Sequence, residues 1–198
     1  MRGASRSMPV TRRLLRSPDG PTLAWSQVGA GRDIVLLHGA LVTLDDMALG
    51  LFASLGEHFR VTAFDRPGHG QSGRFGPTGT PWRQAEAIAG AVDRLGLERP
   101  IIVGHSFGGA VALAYALQFP AKTRGVIALA PIAFPELRLE HLLFMPRGLP
   151  GAGAVLNAIL SASVDPALLP LLWRAMFLPQ AMPPAYAERF PFADAAGA

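Results

Sequence analysis

The chain has 198 residues, 50% of them hydrophobic and 16% charged. That length supports one core rather than two, and the composition excludes a disordered chain. With no cysteine, disulfides, thiolate metal sites and a cysteine nucleophile are excluded, and the net charge of +4 sits at one end: Arg2, Arg6, Arg12, Arg13 and Arg16 lie in the first sixteen positions, which hold no acid.

Residues 11–16 and 22–27 read as two short strands around a Pro18-Asp19-Gly20-Pro21 turn, an antiparallel ribbon at a sheet edge. After a Gly29-Ala30-Gly31 turn, Ile34-Val35-Leu36-Leu37 is a continuous apolar run, the pattern of a strand buried on both faces. A helix is predicted around 45–55, a strand over Arg60–Phe64 and a Gly/Ser/Pro-rich loop over 65–80. Thr80-Pro81 opens the next helix as N-cap and first-turn proline. Trp82, Ala85, Ile88, Ala89, Val92 and Leu95 share one face of it, and Gly96 ends it. A strand at Ile101–Val103, a helix over Phe107–Phe119 and a buried strand over Val126–Leu129 follow.

Strands alternate with helices from 34 to 130, which calls for an α/β fold, a mostly parallel sheet with helices on both faces. Residues 10–135 are expected to form this core. Residues 136–198 lack a buried-strand signal and are expected to form a partial helical cap, with pieces at 152–160 and 166–178 and an Asp165-Pro166 helix start. The cap's apolar residues either line a pocket or pack on the domain beneath.

Gly104-His105-Ser106-Phe107-Gly108 is a G-x-S-x-G between a predicted strand and a predicted helix. A sharp strand-to-helix turn there exposes the serine Oγ, and glycines on either side let neighbouring backbone pass. The helix N-terminus favours developing negative charge. His38-Gly39-Ala40 follows the Ile34–Leu37 strand. The N–H groups of Ala40 and Phe107 are candidates for the two donors that an oxyanion hole needs. Asp65-Arg66-Pro67-Gly68-His69-Gly70-Gln71-Ser72 reads as a tight turn in which Asp65, Gly68 and Gly70 are supports and His69 is structural.

These three segments, in this order and spacing, resemble the α/β-hydrolase superfamily. The resemblance covers residues 10–135 well and the cap region loosely. It implies Ser106 as nucleophile, Ala40 and Phe107 as oxyanion donors, and His38, Gly39, Gly104, His105 and Gly108 as motif support. A serine at this turn favours esterases, lipases, haloperoxidase-like and C–C-bond hydrolases over the dehalogenases and epoxide hydrolases, which place an aspartate there.

The family's triad runs Ser, then Asp or Glu, then His. Downstream of Ser106 the only histidine is His141, and the acids are Glu136, Glu140, Asp165, Glu188 and Asp194. Only Glu136 or Glu140 with His141 meets the order, and none of these ends a predicted strand. His105 is adjacent to the nucleophile and is expected to point away from it. The family's strands beyond the cap are not found either, which leaves the strand at 125–130 as an uncovered edge. The expectation is therefore the N-terminal part of a serine hydrolase acting on an ester or related acyl bond, inactive as the isolated chain. The alternatives are a non-catalytic ligand-binding homologue and a half-protein completed in trans.

The expected partner is a small, apolar substrate. No cofactor or metal is indicated, and nucleic acid is disfavoured because the arginines are not interleaved with aromatics on any element. Residues 1–20 lack the apolar segment of a signal peptide, and no run of about 18 apolar residues exists, so the expected location is the cytoplasm and no membrane span is expected. Met8 is an alternative start to Met1.

Overall fold

A computed structural model describes residues 10–40, 42–75, 79–134 and 152–181. The chain divides into two compact units, Met1–Ala133 and Phe134–Ala198. The first holds a six-stranded sheet of β1 (Arg13–Leu15), β2 (Leu23–Val28), β3 (Arg32–Leu37), β4 (Phe59–Phe64), β5 (Ile101–His105) and β6 (Gly125–Leu129). Their order is β1-β2-β4-β3-β5-β6. β4, β3, β5 and β6 run parallel, and β1 and β2 join antiparallel at the β4 side. The mostly parallel α/β sheet and its antiparallel ribbon are as the sequence predicts.

Three helices cover the sheet: α1 (Leu44–Leu55), α2 (Pro81–Arg94) and α3 (Phe107–Gln118). Alternate residues of each strand serve opposite faces. Val35, Leu37 and Ile102 pack with Ile88, Val92 and Val111 of α2 and α3. Ile34, Leu36, Val61 and Val103 pack with Leu44, Met47 and Phe52 of α1. Burial on both faces is why the β3 run is apolar throughout.

Because β4 lies on one side of β3 and β5 on the other, the chain changes direction at β3. In open α/β sheets the crevice at the carboxyl ends of strands, beside such a reversal, is where ligands bind. The loops after β3, β4 and β5 meet at that end of the sheet.

Three local readings are corrected. Trp82, in the first turn of α2, is 49% exposed rather than buried with Ala85, Ile88, Ala89 and Val92 of the same face. Thr80 does cap that helix, its Oγ1 accepting from the Arg83 N–H at 3.3 Å. β6 is not a fully buried strand. It is the last strand of the sheet, and Ile127 and Leu129 are 49% and 42% exposed.

The second unit contains α4 (Ala152–Ser163) and α5 (Asp165–Met176), and no strand among its described residues. Val164, not Asp165, is the residue before α5. The Val164 N–H bonds Leu160 O at 2.8 Å while its carbonyl accepts from the Leu168 N–H at 2.9 Å. The chain thus passes from helix to helix with no extended residue for an aspartate cap.

Candidate active site

Ser106 joins β5 to α3 with φ 52° and ψ −117°. A positive φ is sterically unfavourable for any residue with a side chain, so the surroundings must hold it. The Ser106 N–H donates to Leu129 O at 2.9 Å, and its carbonyl accepts from the N–H groups of Gly109 at 3.0 Å and Ile132 at 3.1 Å. The glycines have the predicted steric role. A Cβ on Gly104 would stand 2.1 Å from Gly108 O, and one on Gly108 would stand 2.3 Å from Leu37 O. The Phe107 N–H lies in the first turn of α3, where amides have no intrahelical carbonyl to bond.

The loop after β3 runs against this turn. A Cβ on Gly39 would lie 3.3 Å from Ser106 Cβ and 3.1 Å from His105 Nδ1. Gly39 is buried and Ala40 exposed. His38 is fully buried. Its Nε2 accepts from the Arg66 N–H at 2.9 Å, so its Nδ1 carries the proton and donates to Gly39 O at 2.7 Å. Burial first, then the nearby Arg66 charge, pushes His38 well below the ordinary histidine range.

The turn after β4 is organised around Asp65, which is fully buried. It accepts from the N–H of Leu44 at 2.8 Å, the N–H of Gln71 at 3.1 Å and Arg12 Nε at 3.1 Å. It thereby ties the start of α1 and the N-terminal ribbon to the turn. Gly70 must stay small, since a Cβ there would meet Asp65 Oδ2 at 2.3 Å. Gly68, at φ +85°, bonds Gly73 O through its N–H at 2.9 Å. His69 places Nδ1 3.2 Å from Pro67 O and its ring 5.1 Å from that of His38. Burial, with Arg66 second, lowers it to about 4.

Arg66, which sequence reading passed over as part of a turn, is 1% exposed. Its Nε donates to His38 O at 2.7 Å, Nη2 to Gly39 O at 2.8 Å and Nη1 to Gln84 Oε1 at 2.8 Å. Its guanidinium carbon lies 4.9 Å from the centre of the Phe107 ring. Backbone carbonyl acceptors leave no mark on residue type. The signal available was a pair of charged residues, Asp65 and Arg66, where the buried end of β4 enters the turn.

The structure therefore brings Ser106, Gly39 and His105 together, with His38, Asp65 and His69 beneath as supports. Among the described residues no side chain is hydrogen-bonded to the serine hydroxyl as a base would be. His105 Nδ1 faces Asp46 Oδ2 of α1 at 3.8 Å, and His38 and His69 are held neutral in loop networks. Glu136, Glu140, His141, Glu188 and Asp194 lie outside the described residues; Asp165 begins α5 in the second unit. Among the described residues no three His, Asp or Glu side chains are grouped to hold a metal, and no helix is long and apolar enough to cross a membrane.

A family model described as the α/β-hydrolase fold matches residues 34–196. The chain is 34% identical over 119 residues to the dihydrolipoyllysine-residue acetyltransferase component of the acetoin cleaving system of Cupriavidus necator, covering 60% of this chain and 32% of the relative. It is 36% identical over 110 residues to 2-hydroxy-6-oxo-2,4-heptadienoate hydrolase of Pseudomonas putida, covering 53% and 39%. The chain thus spans about a third of the length of these two curated relatives. Among solved structures, Cfl2 of Burkholderia cenocepacia superposes with a TM-score of 0.73 at 21% identity, covering 98% of this chain and 69% of that one. That likeness is one of fold.

Proposed function

The chain belongs to the α/β-hydrolase fold family, and from that premise we propose that it carries the nucleophile and oxyanion half of a serine hydrolase. Ser106 Oγ attacks the carbonyl of an ester or related acyl bond, and the N–H groups of Ala40 and Phe107 receive the oxyanion. The observation that carries this reading is the strained Ser106 turn, with φ 52° between two glycines that no larger residue can replace. Strained backbone of this kind clusters at active sites, and here it falls on a residue that can act as a nucleophile. The site would take a small molecule with an apolar acyl or alcohol group.

A serine hydroxyl is a weak nucleophile until a base removes its proton. Among the described residues no histidine hydrogen-bonds the Ser106 hydroxyl, and His105, its neighbour in the chain, turns Nδ1 toward Asp46 Oδ2 at 3.8 Å. The isolated chain is therefore expected to cleave esters slowly, the attacking Ser106 hydroxyl losing its proton to water rather than to a positioned histidine. Hydrolysis of p-nitrophenyl butyrate by the purified chain tests this. Slow cleavage that vanishes in Ser106→Ala supports the reading. Turnover of about 10 per second, the ordinary enzyme range, would show that a working base is present. Tight binding of an apolar ester that ignores Ser106→Ala, without cleavage, would favour a ligand-binding protein instead.

A further inference from the structure

We propose that Arg66 is the positioning residue of the oxyanion hole: its buried guanidinium fastens the Gly39–Ala40 peptide and the Phe107 ring in one arrangement. The inference rests on the reading of Ser106 and its two N–H donors given above.

Among the described residues, every acceptor around this cation is neutral: two backbone carbonyls, the Gln84 amide and, at 3.4 Å, His69 Nε2. Buried charges are ordinarily paired with an opposite charge, because the desolvation cost is otherwise uncompensated. Burial indeed lowers the Arg66 pKa to about 10. A residue kept there at such a cost to the fold calls for a role other than stability.

The geometry supplies that role. A peptide unit is planar and trans, so its C=O and the following N–H point in opposite directions. The Gly39 carbonyl is held by two donors, Arg66 Nη2 and His38 Nδ1. Fixing that carbonyl fixes the Ala40 N–H, which must project away from the guanidinium. A Cβ on Gly39 would lie only 3.3 Å from Ser106 Cβ, so the peptide being oriented is the one beside the nucleophile. The same guanidinium bonds the preceding carbonyl, that of His38, and lies over the Phe107 ring, whose residue carries the second N–H. Gln84 of α2 holds the guanidinium from a third side, and its own Nε2 donates to Gly79 O at 3.0 Å. One planar fork thus sets both donors relative to each other. A lysine, with a single charged point, cannot span these acceptors.

The test uses the 198-residue chain, Arg66→Lys and Gln84→Leu. One-bond N–H residual dipolar couplings report the direction of each amide, and ester kinetics report the consequence. In Arg66→Lys the Ala40 coupling is expected to change well beyond the scatter shown by core amides such as Phe52 and Ile102. Ser106-dependent kcat for p-nitrophenyl butyrate is expected to fall roughly 10- to 100-fold with KM within about twofold. Gln84→Leu is expected to move both in the same direction by less, and carries the test if Arg66→Lys does not fold. An Ala40 coupling that stays with the core scatter in a folded variant overturns the proposal, as does a loss confined to thermal stability. Ester cleavage that survives Ser106→Ala would sink the nucleophile reading instead, while the couplings still report on Arg66.

Discussion

The carboxyl ends of β3, β4 and β5 and the outer strand β6 belong to one sheet and are built on opposite principles. At the strand ends, polar groups are buried and individually satisfied: Asp65 accepts from two backbone N–H groups and Arg12, and Arg66 meets three acceptors. Along β6, apolar side chains stand open, with Ile127 and Leu129 nearly half exposed. Directional bonds specify one conformation and are costly to break singly, whereas the half-exposed side chains of β6 contribute only by area, its backbone being tied on one side by the β5 ladder and the Ser106–Leu129 bond. Precision in this fold is concentrated where the serine is held.

That contrast can be broken by substitution. Asp65→Ala leaves two backbone donors and Arg12 Nε without their acceptor, Arg12 Nη2 keeping Asp45 and Thr43, and should lower unfolding stability by about 3–5 kcal/mol in urea titration. A loss under 1 kcal/mol would mean that the turn is not organised by this carboxylate. In the central strand, Ile102→Ala empties a fully buried site and should cost about 3 kcal/mol.

Acid sharpens the picture further. His38 and His69 have folded values below that of the unfolded chain, His69 about 4. The unfolded chain therefore takes up protons first as pH falls. The stability these neutral rings contribute is complete above about pH 6.5 and is lost as pH falls toward 4, by up to about 1.4 kcal/mol per unit for each histidine. His69→Phe should make the slope of stability between pH 6.5 and 4.5 shallower, and an unchanged slope would contradict the assignment. The smallest effect belongs to β6: Ile127→Ala should change stability by no more than about 0.5 kcal/mol, and a loss near that of Ile102→Ala would show that β6 is packed like a central strand.

Much of this was readable from sequence. The β3 run and the strand-Gly-x-Ser-x-Gly-helix order locate the sheet and the nucleophile turn, because burial on two faces and steric exclusion both constrain residue type. The apolar run of β6 alone reads as a buried strand, because such a run looks the same at the centre and at the edge of a sheet; only the family's strand order puts it at an edge, where it lies. Trp82 was misplaced because helical periodicity gives the side of a residue and not whether anything stands opposite its turn. Arg66 was missed because its partners are mostly main-chain carbonyls, which any sequence possesses.

The central claim is that Ser106 is the group that attacks. Deacylation needs a base as much as acylation does, so an acyl group transferred to this serine should persist. Mass spectrometry of the chain after prolonged exposure to p-nitrophenyl butyrate is expected to find one butyryl group, on the peptide containing Ser106, and none there in Ser106→Ala. Butyryl groups confined to other residues, with the same rate of ester cleavage in Ser106→Ala, would contradict the account.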